Sequence, residues 1–172
     1  MVNLQAKYLK RKYLSVLILT LLFVSSSCWS SEVKNDRLTE NSIKQFISEK
    51  GLEEPLGTNL ISDDRAVVIY IGYLFEVWKR NDDIRSRKVS YTNNNEVSIV
   101  GSAEGNPYIA ITILDEKILK KAERVSIHFE DGYELSREIE DKKAFAISYD
   151  KKHSEQYVVE FYDSKGEIIY SI

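Results

Sequence analysis

Apolar and polar positions alternate through most of the second half of the chain, and the alternation stops only at turn-forming residues. Val125, Ile127 and Phe129 interleave with Ser126, His128 and Glu130. Asp131-Gly132 then supplies a strong hairpin signal, and Tyr133, Leu135 and Ile139 continue on the return strand. Phe145, Ile147 and Tyr149 predict another strand, and Tyr157, Val159 and Phe161 the next. Asp163-Ser164-Lys165-Gly166 turns the chain into a last strand through Ile168, Tyr170 and Ile172. Upstream, Ala66 to Phe75 is a nearly unbroken run of β-branched and aromatic residues. It predicts a core strand pair or one long bent strand, with Gly72 as bulge or bend. Further strands are expected at Lys88–Thr92 and Glu96–Gly101, joined by Asn93-Asn94-Asn95, and at Tyr108–Leu114 after Pro107.

Two stretches carry helical spacing instead. Thr39 can cap a helix running to about Lys50, with Ile43, Phe46 and Ile47 on one face and Gly51 as its stop. Asp115–Arg124, D-E-K-I-L-K-K-A-E-R, reads as a second short helix with Lys117, Lys120, Lys121 and Arg124 on one face. That face is expected to be solvated, with contact to an anion or a wall polymer as the functional alternative. Residues 52–64, with Pro55, Gly57, Asn59 and Asp63-Asp64, read as linker or loop.

Turns recurring at intervals of about 10–15 residues favour a sandwich or a barrel. The expected fold is mainly β: an antiparallel β-sandwich over residues 65–172, preceded by a short helix and linker over 39–64, with a lipocalin-like barrel as alternative. In its hairpin rhythm the late half resembles bacterial immunoglobulin-like domains, without their Cys-Trp-Cys signature.

The first 27 residues follow another logic. Lys7, Lys10, Arg11 and Lys12 precede an apolar stretch from Tyr13 to Val24 and then Ser25-Ser26-Ser27, the layout of a secretory signal peptide. As a helix the apolar stretch would be about 18 Å long, against a hydrocarbon core of roughly 30 Å. Cys28, the chain's single cysteine, follows at once. Basic residues, apolar run, small residues and cysteine in this order resemble bacterial lipoprotein precursors, with the sequence style of Bacillus-type Gram-positive bacteria. Ser25 departs from that pattern, since an aliphatic residue is usual three positions before the cysteine. The resemblance implies lipidation of Cys28, with residues 1–27 removed as signal and 28–38 serving as a tether. Ordinary signal cleavage near Cys28 and an uncleaved single-pass anchor are the alternatives. All three place the remainder of the chain outside the cytoplasm, because the basic flank stays inside. A diacylglyceryl group would supply the roughly two lipid chains that stable anchoring needs.

Charge and cysteine usage narrow the function. Removal of residues 1–27 leaves 145, one domain's length, with 20 of the 24 basic residues against 27 acidic ones, a net charge of −7. Nucleic acid is not an expected partner, since its phosphates call for clustered cations. The expected partners are the membrane, through Cys28, and an envelope protein or wall polymer. With one cysteine the domain has no internal disulfide and must rely on its core.

Catalytic patterns are sparse. His128 alternates away from the apolar face and His153 sits in the loop K-K-H-S-E; neither has zinc-ligand spacing, and no metal or cofactor is expected. Glu53-Glu54, Asp63-Asp64 and Asp82-Asp83 are neighbours in predicted loops, which does not make a facing pair of carboxyls. S-E-V-K at 31–34 matches the S-x-x-K pattern of acyl enzymes without its companion motifs. Eleven tyrosines are the remaining signal. Tyr70 and Trp78 share a parity along 66–78 and form a candidate aromatic binding strip, or else a second core face. The expected function is a non-catalytic, surface-tethered lipoprotein domain binding a protein or envelope component. A small-ligand carrier and a small secreted hydrolase are the alternatives.

Overall fold

The computed structural model describes residues 37–172, apart from 82, 94, 95, 104, 151, 152 and 154. Cys28, the signal segment 1–27 and positions 28–36 of the tether lie outside the described residues. Helix α1 (Glu40–Glu49) starts at the expected cap: the Thr39 hydroxyl oxygen accepts from the Ser42 N–H at 3.2 Å, satisfying a donor the first turn would leave unpaired. Leu38, assigned to the tether by its polar neighbours, is instead 1% exposed, and its N–H donates to the Asp63 carbonyl at 2.7 Å. Leu38 therefore belongs to the packed part of the chain and not to the expected tether.

Four strands, β1 (Gly57–Ser62), β2 (Arg65–Tyr70), β3 (Tyr73–Arg80) and β4 (Asp83–Ser90), form an antiparallel meander in the order β1-β2-β3-β4. The expected linker thus contains a strand. Its G-T-N-L-I-S is too polar to stand out from a loop, and it holds its place as the first strand of that sheet. The apolar run 66–75 is a strand pair: Tyr70 pairs with Tyr73 across a two-residue turn at Ile71-Gly72. Strand β4 begins five residues before the expected Lys88, because its D-I-R-S-R-K-V-S exposes most of its length.

Seven more strands follow: β5 (Val97–Ser102), β6 (Tyr108–Ile113), β7 (Arg124–Phe129), β8 (Glu134–Glu138), β9 (Ala144–Ser148), β10 (Tyr157–Tyr162) and β11 (Ile168–Ser171). They make two antiparallel sheets, β5-β6-β9 and β11-β10-β7-β8. The first, second and fifth strands share one sheet, and the third, fourth, sixth and seventh the other, an antiparallel β-sandwich whose fourth strand lies on the opposite sheet from that of an immunoglobulin constant domain. Neither sheet closes into a barrel. The Asn93 segment is a crossover between the meander and this sandwich, since β4 and β5 belong to different sheets.

Helix α2 (Glu116–Lys121) is capped by Asp115, whose carboxylate accepts from the N–H groups of Lys117 and Ile118 at 2.7 and 2.9 Å. It ends before Arg124, which opens β7 with its guanidinium 4.2 Å from the Tyr162 ring centroid. Arg124 therefore does not share the helix's basic face.

The period-2 alternation of the strands stacks these elements in four layers. Ala66, Val68, Tyr70 and Val77 face α1, meeting Leu38, Ile43 and Phe46. The opposite side of the meander sends Val67, Ile69 and Leu74 against Tyr108, Ala110, Ala144 and Ala146. The other faces of β6 and β9 send Ile109, Ile111, Ile113 and Phe145 against Val125, Ile127, Val159 and Phe161. Sheet β5-β6-β9 is thus covered on both sides, and all six residues of β6 are buried. Small side chains at 144 and 146 let β1 run close alongside β9. The Ala146 N–H donates to the Asn59 carboxamide oxygen at 2.9 Å, and a Cβ on Gly57 would stand 2.1 Å from the Ala144 carbonyl oxygen. Tyr91 ties the same layers, its hydroxyl donating to the Tyr70 carbonyl at 2.7 Å.

Candidate functional site

The β2–β3 turn decides where the aromatic residues go. Because Tyr70 lies opposite Tyr73, the parity of inward and outward positions reverses at Ile71-Gly72. Tyr70 falls on the α1 side, 5% exposed, stacked on Tyr73 at 4.9 Å between centroids, with its hydroxyl donating to the Glu53 carbonyl at 3.2 Å. Trp78 lies opposite Arg65 on the other side of the sheet. The expected Tyr70–Trp78 strip is therefore not formed; the two rings stand on opposite faces.

Trp78 instead lines a cleft where the meander leaves the sandwich. Ile61, Arg65, Val67, Glu76, Trp78 and Arg87 contribute from the meander, and Gly105, Asn106 and Tyr108 from the β5–β6 turn and the start of β6, around a cavity of about 270 Å³. At its base the Tyr108 hydroxyl donates to Glu76 Oε1 at 2.8 Å. Arg87 reaches the other oxygen, Nε at 2.9 Å and Nη2 at 2.8 Å. Glu76 is thus engaged on one oxygen by a phenol and on the other by a cation. Burial, and then the adjacent Glu76 carboxylate, push the Tyr108 phenol far above its ordinary range, so it donates at every physiological pH.

Arg65 is arranged differently. Its guanidinium makes no hydrogen bond or ion pair with any described residue. It lies against Gly105: a Cβ there would sit 3.3 Å from Nη1, and the φ of +69° already favours glycine. Next to it, Asn106 uses its NH₂ on the Ser62 hydroxyl at 2.8 Å, and Ser62 in turn donates to Asp64 at 2.7 Å. The Asn106 carbonyl oxygen keeps its acceptor capacity. Net charge in the cleft is +1, from Arg65 and Arg87 against Glu76. A shallow trough of about 490 Å³ continues from the same Ile61, Gly105 and Asn106 past Pro107 to Tyr133 and Tyr149.

Both histidines have carboxylate partners that only the fold brings together. His128 does face away from the core, as expected, and its Nε2 stands 3.1 Å from Glu160 and its Nδ1 3.6 Å from Glu134 on the flanking strands. His153 is stacked on Tyr133 at 3.6 Å and bonded through Nδ1 to Asp131 at 3.0 Å, with a side chain only 12% exposed. It is not the surface loop residue expected from K-K-H-S-E. No group of three or more His, Cys, Asp or Glu side chains among the described residues is arranged to hold a metal ion. Of the acid pairs, Asp64 accepts from Ser62 and Asp83 lies opposite Arg80 at the start of β4.

Comparison with family models, with curated proteins and with solved structures finds no match for this chain. No helix among the described residues is long and apolar enough to cross a membrane.

The cleft was hidden from sequence reading because its members come from separate segments. Arg65, Glu76, Trp78 and Arg87 are alternate positions on three strands, and Asn106 sits in a turn. One signal was present: charged residues alternating with apolar ones in β3 and β4, on strands whose other side is core.

Proposed function

We propose that this chain is a non-catalytic binding domain, held by a lipid on Cys28 at the outer face of the cell membrane, which takes an envelope protein in the cleft between meander and sandwich. The observation that carries the reading is the cleft's electrostatic design. One guanidinium and one carboxylate neutralise each other at its base, and a second guanidinium beside a tryptophan is left without a partner. Unsatisfied charged donors in a concave, partly apolar site are the usual anchors of recognition. The basic, apolar and serine-cysteine order of residues 7–28 supports the anchor. A second reading, a carrier of a small apolar ligand, is favoured by the groove of about 590 Å³ between α1 and β1, lined in part by Ile43, Ile47, Pro55 and Leu60.

The test is photocrosslinking on intact cells, with the reactive group placed at the exposed Ser148 in the trough that leads out of the cleft or at Lys165 in the turn that follows β10. A protein neighbour captured from position 148 and not 165, and lost in Cys28→Ser, is the expected result. Capture of nothing from either position, or of the same proteins from both, overturns the reading. Palmitate labelling tests the anchor by itself: label retained by Cys28→Ser removes the lipid from the proposal.

A further inference from the structure

Arg65 is a charged donor fork with nothing to hold, set beside an acceptor with nothing to accept. Its five N–H groups match the two oxygens of a carboxylate, in a bidentate geometry that lysine does not reproduce. The carboxylate already in the cleft is occupied, since Glu76 takes the Tyr108 hydroxyl on one oxygen and Arg87 on the other. Resting on the binding-domain reading above, we propose that the cleft is a receptor for the C-terminal carboxylate of a peptide. The carboxylate pairs with Arg65, the N–H of the terminal residue donates to the Asn106 carbonyl oxygen, and the terminal side chain packs beside Trp78 and Ile61.

Three features favour a peptide end over another acid. The cavity, at about 270 Å³, holds one residue and not a whole folded ligand. A cation next to a lone amide acceptor suits a group whose carboxylate and N–H are separated by a single carbon. The trough past Pro107 to Tyr149 and Tyr133 gives the preceding residues a path out over aromatic and backbone surface. Gly105 keeps the entry open: a side chain at that position would press on the Arg65 guanidinium that the carboxylate must reach.

The probes are acetyl-triglycine and its C-terminal carboxamide, which differ only in the terminal charge, with glucuronate as a non-peptide acid. They are titrated into the full chain carrying Trp29→Phe, so that Trp78 is the sole tryptophan reporter. The acid is expected to bind saturably, and roughly ten- to a hundredfold more tightly than the carboxamide, the range for one charge-assisted pair. Arg65→Gln is expected to abolish that preference, Arg65→Lys to restore part of it, and Gly105→Ala to weaken the acid. Unfolding midpoints of the variants separate loss of binding from loss of fold. Equal binding of acid and carboxamide, or an unchanged preference in Arg65→Gln, overturns the carboxylate assignment. Glucuronate binding tighter than the peptide acid through Arg65 overturns the peptide and leaves an acidic-sugar site. In each of these failures crosslinks from position 148 would still stand, whereas their loss with peptide binding intact would strike the envelope-protein reading alone.

Discussion

Tyr108→Phe should destabilise the fold at neutral pH and cease to do so in strong alkali. Tyr108 is 4% exposed, and its hydroxyl donates to Glu76 Oε1 at 2.8 Å. A hydrogen bond to a charged acceptor contributes about 1.5–3 kcal/mol, and the ring packing is kept in phenylalanine. Between pH 6 and 9 the variant is therefore expected to be about 2 kcal/mol less stable. The phenol's pKa in the folded state is raised, first by burial and then by Glu76, whereas in the unfolded chain it ionises near 10. A raised pKa contributes stability that is complete below the unfolded value and falls away as pH climbs past it, because only the unfolded chain then releases the proton. The loss is about 1.4 kcal/mol for each pH unit above 10. The wild-type advantage should thus close between about pH 11 and 12. Urea unfolding of both proteins from pH 7 to 12, compared at equal m, measures the gap. A gap that stays constant across that range would refute a buried, protonated phenol at this position.

Other substitutions probe the joints between layers. Gly57→Ala places a methyl 2.1 Å from the Ala144 carbonyl oxygen, so β1 must leave β9; a loss of about 3 kcal/mol or more is expected in urea unfolding, and a loss below 1 kcal/mol would contradict the close approach. Asp115→Ala removes both capping bonds of α2 and should cost about 1 kcal/mol, with Asp115→Asn recovering most of it. Phe145→Ala, from a residue 1% exposed between the two sandwich sheets, should cost about 3–5 kcal/mol, the largest single effect expected in the core.

Much of the strand inventory could be read from the chain because a half-buried strand writes itself as alternation. Val125-Ile127-Phe129 and Tyr157-Val159-Phe161 appear in the structure at the expected positions, as does the hairpin at Asp131-Gly132. Alternation says which residues point together but not which strand lies beside which. Ala66–Phe75 allowed a strand pair or one bent strand, with Gly72 as the break; the strand parity read across 66–78 took no account of a turn, and the two-residue turn at Ile71-Gly72 put Tyr70 and Trp78 on opposite faces. Strands β1 and β4 were illegible or half-legible for a different reason: each lies at an end of the meander's strand order and carries polar residues that composition alone assigns to loops. The cleft was least legible of all. Its chemistry resides in Arg65, Glu76, Trp78, Arg87, Asn106 and Tyr108, single positions that become a set only when two sheets are stacked.

The double cover of sheet β5-β6-β9 has a consequence for how this protein can be divided. A two-sheet β-sandwich is ordinarily a bead, able to be cut out, strung in tandem or fused to other beads. Here the bead lacks an outer wall of its own, since Tyr108, Ala110, Ala144 and Ala146 face the meander and not solvent. Severed between β4 and β5, the sandwich would carry a bare apolar flank, and the meander would carry its counterpart in Val67, Ile69 and Leu74. The two halves are then one inheritance, to be expressed, shuffled or engineered together. The amides of β6, at the centre of both interfaces, should be among the last in the molecule to exchange their hydrogens.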